Sequence, residues 1–315
     1  MPELFKNIYN KPFFDSLIHA LVQVKSDFDK TSFLNSIYDY EWQNREFKQR
    51  MRHISTVLKN HLSENYSENV DTILTLIHQL EKNGIQENSI EFMFLPDFIE
   101  LYGLENYFTS IKAFERITQF TSCEFAVRPF IIKYEVEMIK QMCLWAKHKH
   151  KLVRRLATEG CRPRLPWAIA IPSLKNNPTP IIPILEQLKN DKSEVVRRSV
   201  ANNLNDISKD NPNTVIKLVK SWQGKTAETD WVIKHACRTL LKQGDLNVLK
   251  LFGFGSVENI KINNFKTITP KVKIGTFLEF TSELQNTNSS TSKIRLEYGL
   301  YYQKANATLK KKFLK

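Results

Sequence analysis

Glycine is scarce in this sequence, with 9 among 315 residues. None sits in a GxGxxG or GxxxxGK[ST] arrangement, so no glycine-rich loop is available to cradle a nucleotide phosphate. Cysteine is rarer still. Cys123, Cys143, Cys161 and Cys237 are scattered without a CxxC pair, which excludes a disulfide framework and reads as free thiols in a reducing compartment. Cys143 with His148 and His150 is too loose a set for zinc. No metal and no cofactor is expected. No apolar run reaches the roughly 18–20 residues of a membrane span, and the opening MPELFKNIYN has no apolar stretch of the kind a secretory signal carries. The expectation is a cytoplasmic chain that does not enter a membrane.

Positive charge is abundant. Lys and Arg number 46 against 33 Asp and Glu, a net charge of +13. A surplus of that size favours a polyanionic partner, of which nucleic acid is the commonest.

Residues 1 to about 250 read as helix after helix. Ile54, Leu58 and Leu62 keep helical spacing, as do Ile73, Leu76, Ile77 and Leu80, and Ile111, Phe114, Ile117 and Phe120. Breaks such as KNNPTP, KDNP and KQGDL separate the runs. Three segments repeat: LVRRLATEG, VVRRSVANNLND and WVIKHACRTLLK. Val153, Val196 and Val232 correspond, at intervals of 43 and 36 residues. So do Ala157, Val200 and Ala236, and Leu204 with Leu240. Such periods, with two helices each, predict a mainly α chain built as a HEAT-like helical-repeat superhelix.

The opposite face of the repeated helices carries Arg155 and Glu159, then Arg198, Asn202 and Asp206, then Lys234, Arg238 and Lys242. Stacked, these rows give either a phosphate-binding surface with two embedded acids or a solvated face with local ion pairs. From about residue 270 the pattern turns to alternation. KVKIGTFLEFTSEL places Val272, Ile274, Thr276, Leu278 and Phe280 on one face, and SKIRLEYGLYYQKAN follows after a Ser/Thr/Asn-rich turn. The expected division is 1–252 for the repeat domain, 253–269 for a linker or the module's first strand, and 270–315 for a small antiparallel β (Ig-like) module. That module falls short of the roughly 100 residues of an Ig-like sandwich, so it is expected to be truncated at Lys315.

The stretch LATEGCRPRLPWA, residues 156–168, carries the chemistry. Glu159 closes a helix before Gly160, where a glycine suits a left-handed cap. Asp206 stands near a helix end before KDNP, and Glu124 is expected at another, before Arg128-Pro129. Carboxylates there face the negative end of the helix dipole, so either chance or use explains them. Cleavage of an N-glycosidic bond is one use: a carboxylate stabilises the oxocarbenium character of the sugar and activates water. Arg162 and Arg164 are placed to bind phosphates in fork geometry, and Trp167 offers either a π-face to a cationic base or a core anchor.

ATEGCRPRLPWA, VRRSVANNLNDISKDNP and HACRTLLKQG together resemble the AlkC type of DNA alkylation repair enzyme, over most of the chain. The resemblance implies a monofunctional DNA glycosylase that removes N-alkylated bases such as 3-methyladenine from duplex DNA. It also implies a C-terminal Ig-like module that helps encircle the duplex, and lesions handled with the base still largely stacked. Matched by motif, Glu159, Asp206, Glu124 and Trp167 are pocket residues, with Glu159 assigned to water and oxocarbenium stabilisation and Asp206 supporting it. Arg155, Arg162, Arg164, Arg198, Asn202, Lys234 and Arg238 are expected on DNA. The partner is alkylated double-stranded DNA, the protein a monomer associated with the nucleoid. Two rivals stand beside this reading. One is a non-enzymatic HEAT-like scaffold binding nucleic acid or protein, and the other a hydrolase of another cationic or glycosidic substrate.

Overall fold

Helices fill the first three quarters of the chain because apolar side chains recur there at helical spacing and capping residues mark the starts. The computed structural model describes residues 4–87, 89–255, 258–291, 293, 294, 296 and 298–314. The chain divides into two units, Met1–Thr239 and Leu240–Lys315. In the first unit the helices are α1 (Lys11–Val24), α2 (Lys30–Ile37), α3 (Phe47–Lys59), α4 (Tyr66–Lys82), α5 (Phe94–Tyr102), α6 (Tyr107–Ile117), α7 (Val127–Lys133) and α8 (Glu135–Trp145). They continue with α9 (Lys151–Glu159), α10 (Pro172–Asn176), α11 (Ile182–Leu188), α12 (Glu194–Asp210), α13 (Pro212–Trp222) and α14 (Ala227–Ala236).

Packing between non-consecutive helices gives the repeat. One row runs α3, α5, α7 and another α9, α12, α14, while α1, α4 and α6 form a row behind the first. This is the HEAT-like arrangement that the recurring segments predicted. The aligned positions Val153, Val196, Val232, Ala157, Val200, Ala236 and Leu204 are all fully buried. Removing such area from water at about 25 cal/mol per Å² is what holds the rows together. His150 does local work at the start of α9, where its Nδ1 accepts from the Leu152 N–H at 3.3 Å.

The boundary between the units falls at Thr239, earlier than the expected 252. Lys293 shows why: its Nζ donates to the Phe252 carbonyl at 3.1 Å and lies 5.0 Å from the Phe254 ring centroid. The helix end therefore travels with the β module. The second unit holds α15 (Arg238–Gln243, which begins just before the boundary), α16 (Leu246–Leu251) and four strands. β1 (Ile260–Thr267) pairs antiparallel with β2 (Phe280–Asn286), and β3 (Tyr298–Gln303) with β4 (Leu309–Leu314). Phe280 joins the pairs, with ring centroids 5.6 Å from Phe265 and 5.3 Å from Tyr298.

The stretch 253–269, read as a linker or a first strand, contains β1, while the reading of 272–280 needs correction. The alternation of β1 is hidden because the register shifts between Asn263 and Lys266, with Asn264 in left-handed backbone at φ 52°. Conversely Val272–Leu278 is not strand. Gly275 turns there at φ 89°, and the Thr276 N–H returns to the Lys273 carbonyl at 3.1 Å.

Candidate functional site

Gly160 ends α9 in a right-handed conformation, φ −62° and ψ −35°, not in the left-handed cap expected of it. The glycine is there for space. A Cβ would meet Val127 Cγ2 at 2.7 Å and the Leu156 carbonyl at 3.0 Å. Beyond it the loop to Ile171 is tied from inside by Arg128, which is fully buried on α7. Its guanidinium donates to the carbonyls of Gly160 (2.9 Å), Arg162 (2.8 Å) and Ile169 (2.5 Å). Burial, then the neighbouring Arg162 charge, lower the Arg128 pKa to about 10, partly offset by nearby acids. Sequence reasoning passed over Arg128; the signal was an arginine among the apolar residues of FAVRPFII.

Arg162 is turned inward, not towards a phosphate. It donates to Glu159 Oε1 at 2.5 Å and to Asp206 Oδ2 at 2.8 Å, and all three side chains are buried. Burial alone would depress its guanidinium. The charges and hydrogen bonds of the two acids outweigh that and hold it above its ordinary value. The carboxylates are otherwise engaged as well. Ser199 Oγ donates to Glu159 Oε2 at 2.6 Å, with Thr158 Oγ1 donating to Ser199 at 2.6 Å, and Lys209 donates to Asp206 Oδ1 at 2.8 Å. Glu159 thus tolerates the helix C-terminus because two donors face it. Nothing in the sequence spacing marked Ser199 as its partner.

Glu124 is different. It lies in the turn between α6 and α7, not at a helix end, because Pro129 occupies the first turn of α7 and does not break it. Arg155 donates to Glu124 Oε1 at 3.4 Å and to Ser122 Oγ at 3.1 Å. Glu124 Oε2 is buried without a hydrogen-bond partner. Burial pulls the Arg155 guanidinium down, but Glu124 and then Glu159 raise it above its ordinary value. Glu124, Arg155 and Trp167 share a cavity of about 190 Å³, walled also by Phe47, Met93 and Phe125. Trp167 is 66% exposed, which rules out the core-anchor alternative.

The remaining expected contacts lie elsewhere on the first unit. Arg164 makes a bidentate pair with Asp210, at 2.6 and 2.5 Å. Arg198 pairs with Glu194 one turn away on the exposed side of α12. Asn202 Oδ1 accepts from Arg238 at 3.1 Å and lies 3.2 Å from His235 Nε2, whose ring stacks on Trp231. Lys234 is exposed on α14. The structure thus leaves Arg164 on Asp210 and gathers the other predicted residues into three groups: the Glu124–Arg155–Trp167 cavity, the Glu159–Arg162–Asp206 ion cluster, and the α12–α14 face with Arg238 just beyond α14. No group of three or more His, Cys, Asp or Glu side chains among the described residues has metal-binding geometry. No helix among them is long and apolar enough to cross a membrane.

Comparison with known proteins adds relatives to this geometry. Residues 50–240 match the DNA alkylation repair enzymes, and residues 261–315 match the C-terminal Ig-like domain of the uncharacterised protein YhaZ. The uncharacterised YhaZ of Bacillus subtilis (strain 168) is 41% identical over 310 residues, covering 98% of this chain and 84% of that protein. Among solved structures, the Pseudomonas fluorescens alkylpurine DNA glycosylase AlkC, bound to DNA containing an abasic site analogue, superposes with a TM-score of 0.92 at 30% identity. That match covers 99% of this chain and 85% of the other.

Proposed function

Because the chain belongs to the family of DNA alkylation repair enzymes, we propose that it is an alkylpurine DNA glycosylase. It hydrolyses the N-glycosidic bond of N-alkylated bases such as 3-methyladenine in duplex DNA, as a monofunctional enzyme without a cofactor. The observation that carries this reading is the Glu124 carboxylate: the residue lines a cavity with Trp167, Phe47 and Phe125, and its buried Oε2 has no hydrogen-bond partner. The bond between C1′ and the ring nitrogen breaks with its electron pair leaving on the base. An alkylated purine is already cationic and departs neutral. The sugar gains oxocarbenium character, which a carboxylate in a low-dielectric cavity stabilises. Water then adds to C1′ and its proton passes to the carboxylate.

The roles of the acids follow from what each has left to offer. Glu124 keeps a free oxygen and takes the water and oxocarbenium assignment first given to Glu159. Glu159 and Asp206 are spent on Arg162, so they frame the site: they fix the loop that carries Trp167, and Glu159 adds negative charge beside Arg155. Trp167 presents a π-face to the cationic base or sugar. Arg198, Asn202, Lys234 and Arg238 face the DNA backbone, and Arg164 joins them by exchanging Asp210 for phosphate. The enzyme acts as a monomer in the cytoplasm, on the nucleoid.

The test is release of free methylated bases from methylated duplex DNA, with binding measured alongside. Glu124→Gln should lose about a hundredfold or more in release while binding the same DNA. Glu159→Gln and Asp206→Asn should lose activity together with stability. DNA binding without release by any protein, wild type included, would make the chain a DNA-binding scaffold instead.

A further inference from the structure

Trp167 occupies a backbone conformation that its side chain does not favour. Its φ is 65°, and left-handed backbone at a bulky residue is strained and persists only where the surroundings impose it. Packing beneath does not supply the constraint. The next residues, Ala168 and Ile169, lie over a second cavity of about 130 Å³, lined also by Phe125, Asp97, Glu100 and Lys48. Trp167 itself is mostly exposed, with the Phe5 ring 6.3 Å away and tilted. Arg128 secures the loop on its inner side only.

The outer restraint comes from α3, a part of the chain that carries no site motif. Lys48 Nζ donates to the Trp167 carbonyl at 2.8 Å, across 119 residues of sequence. The same ammonium lies 4.9 Å from the ring centroid of Phe125, a wall of the Glu124 cavity. Below it on α5, Asp97 and Glu100 are bound by Arg52 at 3.0 and 2.7 Å and also feel the Lys48 charge. A carbonyl, a π-face and two carboxylates therefore fix one flexible side chain. Its backbone neighbour Phe47 lines the cavity as well.

We propose that Lys48 is a positioning residue: it tethers the Trp167 carbonyl and holds the indole in its strained pose at the mouth of the Glu124 cavity. The proposal rests on the glycosylase reading for its effect on catalysis, but the tether itself is a property of the fold. Lys48 is exposed, so Lys48→Met should melt close to wild type. Hydrogen exchange in peptides spanning 162–171 should speed up in that variant, while α12 keeps wild-type protection. The single-turnover rate of base release should fall about tenfold to a hundredfold, as expected when a group at the reacting centre loses its orientation. Lys48→Arg, which can still donate to the carbonyl, should recover most of the rate. In a Trp167→Ala background, Lys48→Met should change the rate little further, because the tether then has no indole to orient.

Unchanged exchange in residues 162–171 overturns the tether, whatever the activity. A loss that adds to that of Trp167→Ala, with weaker DNA binding and a shallower salt dependence, also overturns it and makes Lys48 a phosphate contact. If the wild type releases no base, the glycosylase reading fails, and the exchange measurement still decides the tether.

Discussion

Three carboxylates look equivalent in the sequence, and burial with partners separates them. Glu159 and Asp206 are saturated by Arg162, Ser199 and Lys209, whereas Glu124 keeps one oxygen free. Arg162→Met should therefore be among the most destabilising substitutions at the site. It leaves two buried carboxylates without their shared cation, at a cost of about 3–5 kcal/mol. Urea unfolding measures this; a loss below about 1 kcal/mol would mean that water already reaches both acids. Glu124→Gln should move stability far less, since it disturbs one long ion pair at 3.4 Å. The presence of all three acids was legible in the sequence. Their division of labour was not, because it depends on which of Arg155 and Arg162 folds inward, and both occur in the same basic stretch.

At the scale of the element, the loop after α9 depends on close approach to α7. Gly160→Ala would push a methyl group into Val127 and should cost about 1–3 kcal/mol. Thermal or urea unfolding of the variant checks it, and an unchanged midpoint would show that α7 can move away. The joint between α3 and α5 gives a pH-dependent signature. Burial raises the Asp97 carboxyl above its ordinary range, more than Arg52 and Ser55 lower it. A carboxyl with a raised pKa in the folded state contributes stability that is full below its unfolded value and is lost as pH rises through its folded value. Asp97→Asn does not titrate. Its stability relative to wild type should therefore be more favourable at pH 8 than at pH 4.5, and the reverse order in urea unfolding would contradict the sign. The helices were legible because α-helical spacing needs only local sequence. For β1 the choice between linker and strand stayed open, because the register break at Asn264 shifts the alternation on which a strand reading depends.

Over the whole molecule, the net charge of +13 predicts DNA binding that weakens steeply with salt, through release of condensed counterions. Replacing Arg198 or Lys234 with alanine should reduce the slope of log K against log salt by about one each and weaken binding alike on damaged and undamaged duplexes. A slope unchanged in both variants would remove the α12–α14 face from the interface. The thiols report burial independently. Cys123 and Cys161 are fully buried, and burial pushes the Cys161 thiol up to about 12. A thiol reagent should therefore modify half-buried Cys143 first and reach Cys123 and Cys161 only on unfolding.

By itself the sequence determined the helical repeat, the surplus of positive charge, the β module after the helices and the set of acids and aromatics from which a site is made. These follow from composition and from short-range periodicity, which hydrophobic burial and backbone geometry translate directly into elements. Only the tertiary structure decided which acid remains free, that Arg162 serves the protein interior, that Gly160 is needed for space, and that Lys48 reaches Trp167. Those outcomes rest on contacts between residues tens to more than a hundred positions apart, and no local pattern encodes which of several similar side chains will meet.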